Sequence, residues 1–267
     1  MFLCSGISFR IADRAGQTQL QQHSLFFFAH THGLQTAVFV VVAQQMQHGM
    51  HGQKCHCFRQ AEIALLYEQS NLKRMLEKEN FGTLSYSFFQ GDELTSYRQA
   101  VEKCKNFCTN FKTSYQNLFF YGTVGTGKTF LTNCIAKECI EQGCSVLYFS
   151  AASLFDLLAR NTFDYRAREE LSALCADLYG CDLLVIDDLG TETATTVTLS
   201  HFFTCLNERL LRQKSVIIST NLSLEDCRNR YQDRIFSRIA SNFEFCKLTG
   251  PDIRMCKKVS AVSGPVR

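Results

Sequence analysis

The run Gly122-Thr-Val-Gly125-Thr-Gly127-Lys128-Thr129 constrains this chain more than any other segment, because it matches G-x-x-x-x-G-K-[ST]. Its glycines allow successive backbone N–H groups to turn inward around phosphate oxygens, and a helix beginning at Lys128 points its positive end at the same anion. Lys128 is expected to reach the β- and γ-phosphates, and the Thr129 hydroxyl to hold Mg²⁺. Context strengthens the pattern: the apolar stretch NLFFY (117–121) runs straight into it, and a helical pattern follows at once. Nucleotide contact is therefore expected from Gly122, Thr123, Val124, Gly125, Thr126, Gly127, Lys128, Thr129 and Phe130.

A phosphate-binding loop needs a carboxylate on a second strand to hold its metal, and Leu183-Leu-Val-Ile-Asp187-Asp188 supplies one. Asp187 is the expected Mg²⁺ partner. Asp188, one residue on, lies where it can orient and deprotonate an attacking water. The next apolar run, SVIIST (215–220), ends beside Asn221, whose amide suits a γ-phosphate sensor and equally suits a neighbour of the helix cap at Ser223. Arg234 and Arg238 lie four apart, hence on one helical face: either a solvated basic face or an arginine finger that stabilises transition-state charge in a neighbouring subunit. Arg254, in Gly250-Pro-Asp-Ile-Arg254, adds another arginine just past the last expected strand.

Alternating patterns predict the architecture. Strands are expected at 117–121, 145–150, 182–187, 215–220 and about 243–248. Helices are expected at 128–142, 152–160, 166–178 and 198–212, with a shorter helical stretch over 224–240. Nearly continuous apolar strands such as LLVID argue for a parallel sheet covered by helices on both faces. Upstream, Tyr97, Ala100, Val101, Cys104, Phe107, Cys108 and Phe111 form one apolar stripe on a helix of about four turns, so Cys104 and Cys108 are read as core rather than metal ligands. Residues 81–89 read as a connector, and Ile63, Leu66, Tyr67, Leu72, Met75 and Leu76 as helical.

GTVGTGKT, LLVIDDLG, ISTN, RIFSRI and GPDIR occur in the order and spacing of DnaC/DnaI/IstB-like AAA+ ATPases, which the chain resembles over roughly residues 53 to 256. The resemblance implies an α/β P-loop fold with a five-stranded parallel sheet in the order 5-1-4-3-2, flanked by helices. It also implies ATP with Mg²⁺, and a homo-oligomeric ring or spiral with nucleotide at subunit interfaces. On the family pattern Lys128 and Thr129 match Walker A, Asp187 and Asp188 Walker B, Asn221 sensor 1, Arg238 the arginine finger and Arg254 sensor 2, with Arg234 a weaker finger candidate. Lys128, Asp188, Asn221, Arg238 and Arg254 are thus the expected catalytic set. Many AAA+ enzymes carry the longer Glu where this chain has Asp188. The chain stops 13 residues after Arg254, so the C-terminal helical lid of most AAA+ proteins is not expected. DnaI-like members carry a Cys-rich zinc element of which Cys55 and Cys57 resemble the second half. The upstream C-x-x-C is missing, leaving only His48 or His51 as substitutes, so Zn²⁺ is not expected to be held.

Residues 1–52 contain one acidic residue, Asp13, and five of the seven histidines. A segment so poor in charge does not read as a solvated domain surface; it is expected to be poorly ordered or to reflect a start-site or frame error, with an unusual partner-binding segment as the alternative. The expected organisation is then a small helical appendage with a partial Cys motif over 53–94, an AAA+ domain over 95–256 and a tail over 257–267. Fourteen scattered cysteines fit reduced thiols in the cytoplasm better than a disulfide framework. No apolar run is long enough to span a bilayer. A net charge of +3 and a pI near 8.2 are too mild to argue for nucleic acid by bulk electrostatics. The leading expectation is an ATP-switched loader of a replicative DNA helicase onto single-stranded DNA. Its rivals are an IstB-like transposition helper acting on duplex DNA and a non-hydrolysing helicase adaptor.

Overall fold

A computed structural model describes residues 71–163 and 177–262, with side chains over 75–159 and 177–259. All of them fall within one compact unit. The Cys55/Cys57 pair with His48 and His51, the helical pattern around Ile63, and most of the helix expected at 166–178 lie outside the described residues.

The elements run α1 (Asn71–Lys78), a 3₁₀ turn (Phe81–Thr83), α2 (Gly91–Asn110), β1 (Leu118–Gly122), α3 (Lys128–Glu141), β2 (Val146–Ser150) and α4 (Ala151–Phe163). They continue through β3 (Leu183–Leu189), α5 (Thr196–Leu211), β4 (Ser215–Thr220), α6 (Leu224–Asn242), β5 (Glu244–Leu248) and α7 (Ile253–Val262). The five strands pair in parallel throughout, in the order β2-β3-β4-β1-β5. This is the expected 5-1-4-3-2 order read from the opposite edge.

Period-two alternation divides each strand between two apolar layers. Leu118, Phe120, Val146, Tyr148, Leu183, Val185, Ile217 and Cys246 face the layer built by α1, α2 and α3, where Cys104 and Cys108 are also buried. Phe119, Leu147, Phe149, Leu184, Ile186, Val216 and Ile218 face the layer built by α4, α5 and α6. Both faces are covered, which is why the strands read as continuous apolar runs. At the sheet's lower rim, buried Asn117 accepts from the Val216 N–H (2.8 Å) and donates to Asn242 O (3.0 Å), tying the start of β1 to β4 and to the end of α6. Arg209 is fully buried; its guanidinium donates to the carbonyls of Leu178 (2.7 Å), Cys181 (3.1 Å) and Ser215 (2.7 Å), joining the entrances of β3 and β4.

Local chemistry sets the helix boundaries. α5 starts two residues earlier than expected because Thr195 and Thr198 form a reciprocal capping box. α6 starts at Leu224, with the Ser223 hydroxyl accepting from the Asp226 N–H at 3.0 Å. It runs to Asn242 and is broken at Gln232, whose φ of 64° lies in the left-handed region. Arg234 and Arg238 both follow that break. Among the described residues no helix is long and apolar enough to cross a membrane.

Candidate nucleotide site

Parallel α/β sheets gather their loops at the carboxyl ends of the strands, and the candidate residues converge there from β1, β3, β4 and β5. The loop between β1 and α3 turns on Gly122, Gly125 and Gly127, with φ of 131°, 78° and 94°. A Cβ on Gly122 would come within 2.0 Å of Leu248 O, so glycine is what lets the loop leave the sheet beside β5. Gly127 caps α3 with no side-chain partner, which leaves the first-turn N–H groups for an anion.

Lys128 is buried and its ammonium donates to the carbonyls of Gly122 (3.0 Å) and Thr123 (2.6 Å). Burial, with help from the Arg254 charge, pushes its pKa down to about 8 against the attraction of Asp188 and Asp187. Thr126 is buried and donates to Thr123 O at 2.9 Å, bracing the loop. Val124 is exposed at the tip. Phe130 is partly buried and packs against the layer formed by α2 and α3.

Thr129 Oγ1 donates to Asp187 Oδ1 at 3.2 Å, joining the first turn of α3 to the end of β3. The same carboxylate oxygen accepts from Ser219 Oγ on β4. Burial, reinforced by the Asp188 charge, holds the Asp187 carboxyl above the usual carboxylate range, opposed by hydrogen bonds from Ser219, Thr129 and Tyr148. Tyr148 also bonds the Thr132 hydroxyl at 3.0 Å. A divalent cation between the Thr129 hydroxyl and Asp187 would meet hard oxygen donors and favour the ionised carboxylate, so this donor pair fits Mg²⁺.

Asp188 sits at a register shift between β3 and β4 with φ of 54°, an uncommon conformation for a side-chain-bearing residue. Its N–H donates to Ser219 Oγ (3.0 Å), and its carboxylate accepts from Asn221 Nδ2 (3.2 Å). Asn221 thus stands beside Asp188 as well as two residues ahead of the Ser223 cap. Past β5, at the start of α7, the Ile253 N–H donates to Gly125 O (3.0 Å), so the GPDIR segment is pinned across the loop. Arg254 is exposed there, its Nε 3.6 Å from Asp252 Oδ1.

Arg234 and Arg238 do not join this cluster. Both are exposed on α6, Arg234 lying 5.1 Å from the Phe203 ring centroid and Arg238 without a side-chain partner among the described residues. Among the described residues no group of His, Cys, Asp and Glu is arranged to hold a metal by itself.

Sequence reasoning missed Ser219, Tyr148 and Glu192. A serine near the end of the otherwise apolar run SVIIST was the available signal for Ser219. Tyr148 and Glu192 carry no local signal of a site: one is an aromatic in an apolar run, the other a charge in the polar run TETATT.

Comparison with known proteins bears on the family and the fold. The chain is 27% identical over 192 residues to the chromosomal replication initiator protein DnaA of Aquifex aeolicus, covering 70% of this chain and 45% of that one. It is 26% identical over 147 residues to the replicative helicase loader DnaC of Escherichia coli K12, covering 55% and 59%. The chain thus spans about half the length of these relatives. The crystal structure of the DnaC helicase loader matches at a TM-score of 0.56 and 22% identity, covering 66% of this chain and 99% of that one, and shows the shared fold. The model of the family described as IstB-like ATP binding protein matches residues 67–258, and the chain belongs to this family of P-loop, AAA+-type ATP-binding proteins.

Proposed function

We propose that the chain is an ATP-switched AAA+ ATPase that loads a replicative helicase onto single-stranded DNA in the cytoplasm, as a ring or spiral of its own copies. The observation that carries the reading is the convergence of Lys128, Thr129, Asp187, Asp188 and Asn221 at one end of the sheet, in a chain similar to DnaC. Lys128 turns from the Gly122 and Thr123 carbonyls to the β- and γ-phosphates. Thr129 and Asp187 would hold Mg²⁺, with the Ser219 hydroxyl fixing the carboxylate. Magnesium, when bound, neutralises charge on the phosphate oxygens. Asp188 accepts the proton of the attacking water, and Asn221 orients that water against the γ-phosphate. Arg254, pinned above the loop, adds positive charge on the phosphate side. Arg238, exposed past the α6 break, reaches the phosphate held by a neighbouring subunit, so hydrolysis loosens the interface.

Binding of a single-stranded oligonucleotide is expected to tighten at least about tenfold when ADP is replaced by a non-hydrolysable ATP analogue. Nucleotide-independent affinity in a filter-binding assay counts against the loader. The family model favours a second reading, an IstB-like helper ATPase in transposition. A preference for duplex DNA in the same assay would select it.

The lowered Lys128 pKa gives a pH test of the phosphate contact. In the free protein the ammonium is lost as pH rises through about 8. Bound phosphates favour the charged form, so above that pH binding must take up a proton. ATP affinity is therefore expected to fall about tenfold between pH 7 and pH 9. An affinity that is flat across this range in calorimetric titration would remove Lys128 from the phosphate contact.

A further inference from the structure

Glu192 lies just beyond the Asp188 turn, yet its side chain is completely buried. An isolated buried carboxylate is costly, so its partners decide whether it is tolerated. They come from two directions. From the turn, the Gly190 N–H donates to Oε2 at 2.8 Å. From α6, Tyr231 OH donates to Oε1 at 2.5 Å and Arg230 Nε donates to the same oxygen at 3.2 Å. The Arg230 guanidinium also donates to the Glu192 backbone carbonyl. Tyr231 is fully buried, and burial together with Glu192 holds its phenol well above the ordinary tyrosine range, which keeps it a neutral donor.

Each end of this clamp is a special point of the backbone. At one end Asp188 and Gly190 have φ of 54° and 114°. The Asp188 carbonyl accepts from the Thr191 hydroxyl (2.9 Å), and the Leu189 carbonyl accepts from the Thr220 hydroxyl (2.5 Å). At the other end Tyr231 immediately precedes Gln232, where α6 breaks before Arg234 and Arg238. The carboxylate of Glu192 spans the two.

We propose that Glu192 is a positioning residue that ties the turn carrying Asp188, through Gly190, Arg230 and Tyr231, to the last residues before the α6 break, so that the water-activating carboxylate is coupled to the point from which the arginine-bearing end of α6 departs. The inference rests on the ATPase reading given above. It extends that reading to regulation: a shift of Arg238 at a subunit interface is transmitted to Asp188 through one buried side chain rather than through the nucleotide alone.

The test compares full-length wild type with Glu192→Gln, Tyr231→Phe, Arg230→Gln, Arg238→Ala and the Glu192→Gln/Arg238→Ala pair. Tyr231→Phe keeps the ring in the core and removes only the hydroxyl, so with the partly exposed Arg230 it decides the matter if Glu192→Gln fails to fold. Turnover is read by phosphate release and Mg-ATP affinity by a fluorescent ATP analogue. Turnover in the clamp variants is expected to fall at least about tenfold with affinity within about twofold of wild type, the signature of lost positioning. The double variant is expected to lose little beyond the worse single one, because groups acting as one unit are not additive. Unchanged turnover in folded Tyr231→Phe and Arg230→Gln, equal losses of affinity and turnover, or additive losses in the double variant would each overturn the proposal while leaving the ATPase reading standing. A wild type without Mg-dependent ATP turnover would overturn both.

Discussion

Alanine at Lys128 is expected to weaken Mg-ATP binding by about 10- to 100-fold, because a charge-assisted hydrogen bond is worth about 1.5–3 kcal/mol and each tenfold about 1.4 kcal/mol. The fold is expected to survive. The ammonium is buried, its only described partners are the carbonyls of Gly122 and Thr123, and burial already disfavours its charge. Removing it relieves that desolvation but leaves the two loop carbonyls without their donor, so the melting temperature should change little. Equilibrium titration with a fluorescent ATP analogue checks the affinity and a thermal melt checks the fold. Wild-type affinity in a folded Lys128→Ala protein would remove the triphosphate from this loop. The variant also separates the switch from the non-hydrolysing adaptor: delivery of helicase to single-stranded DNA should be lost in the first case and retained in the second.

Much of this arrangement was legible because the deciding signals are local. Strand patterns alternating with helical ones, with nearly continuous apolar runs such as LLVID, predicted the parallel sheet, and SVIIST matched β4 to the residue. The glycine loop predicted its own geometry, since Gly122, Gly125 and Gly127 all take the positive φ that glycine tolerates. The sheet order was not legible from periodicity and came only with the family likeness. What stayed hidden depends on residues that do not announce their conformation. Gln232 breaks α6 at positive φ, and Asp188 turns at the end of β3 in the same region, although neither residue is a glycine. The capping box at Thr195 was masked by the β-branched run TTVT, which reads as poor helix. Glu192 was hidden for a different reason: a charge in a polar run is normally solvated, and its burial draws on partners brought by α6, some 38 residues later.

Asp188 is the hidden residue at which the largest loss of turnover is expected. Asn is nearly isosteric with Asp and visits the left-handed region readily, so Asp188→Asn should keep the φ of 54° and the N–H bond to Ser219. It also removes one of two adjacent negative charges, and the Asp188 charge is one cause of the raised Asp187 pKa. Stability is therefore expected to be equal or slightly greater, and Mg-ATP affinity to stay within a few-fold of wild type. Proton acceptance is what disappears. General-base assistance contributes about 10²- to 10⁴-fold, so phosphate release should fall by that range. Turnover within about threefold of wild type would show that another group takes the proton. The contrast with Lys128→Ala is the mechanistic point: one variant should bind nucleotide weakly, while the other should bind it and not let go. If ATP organises the subunit interface through Arg238 and hydrolysis loosens it, the Asp188→Asn protein should remain on single-stranded DNA in ATP long after wild type has left.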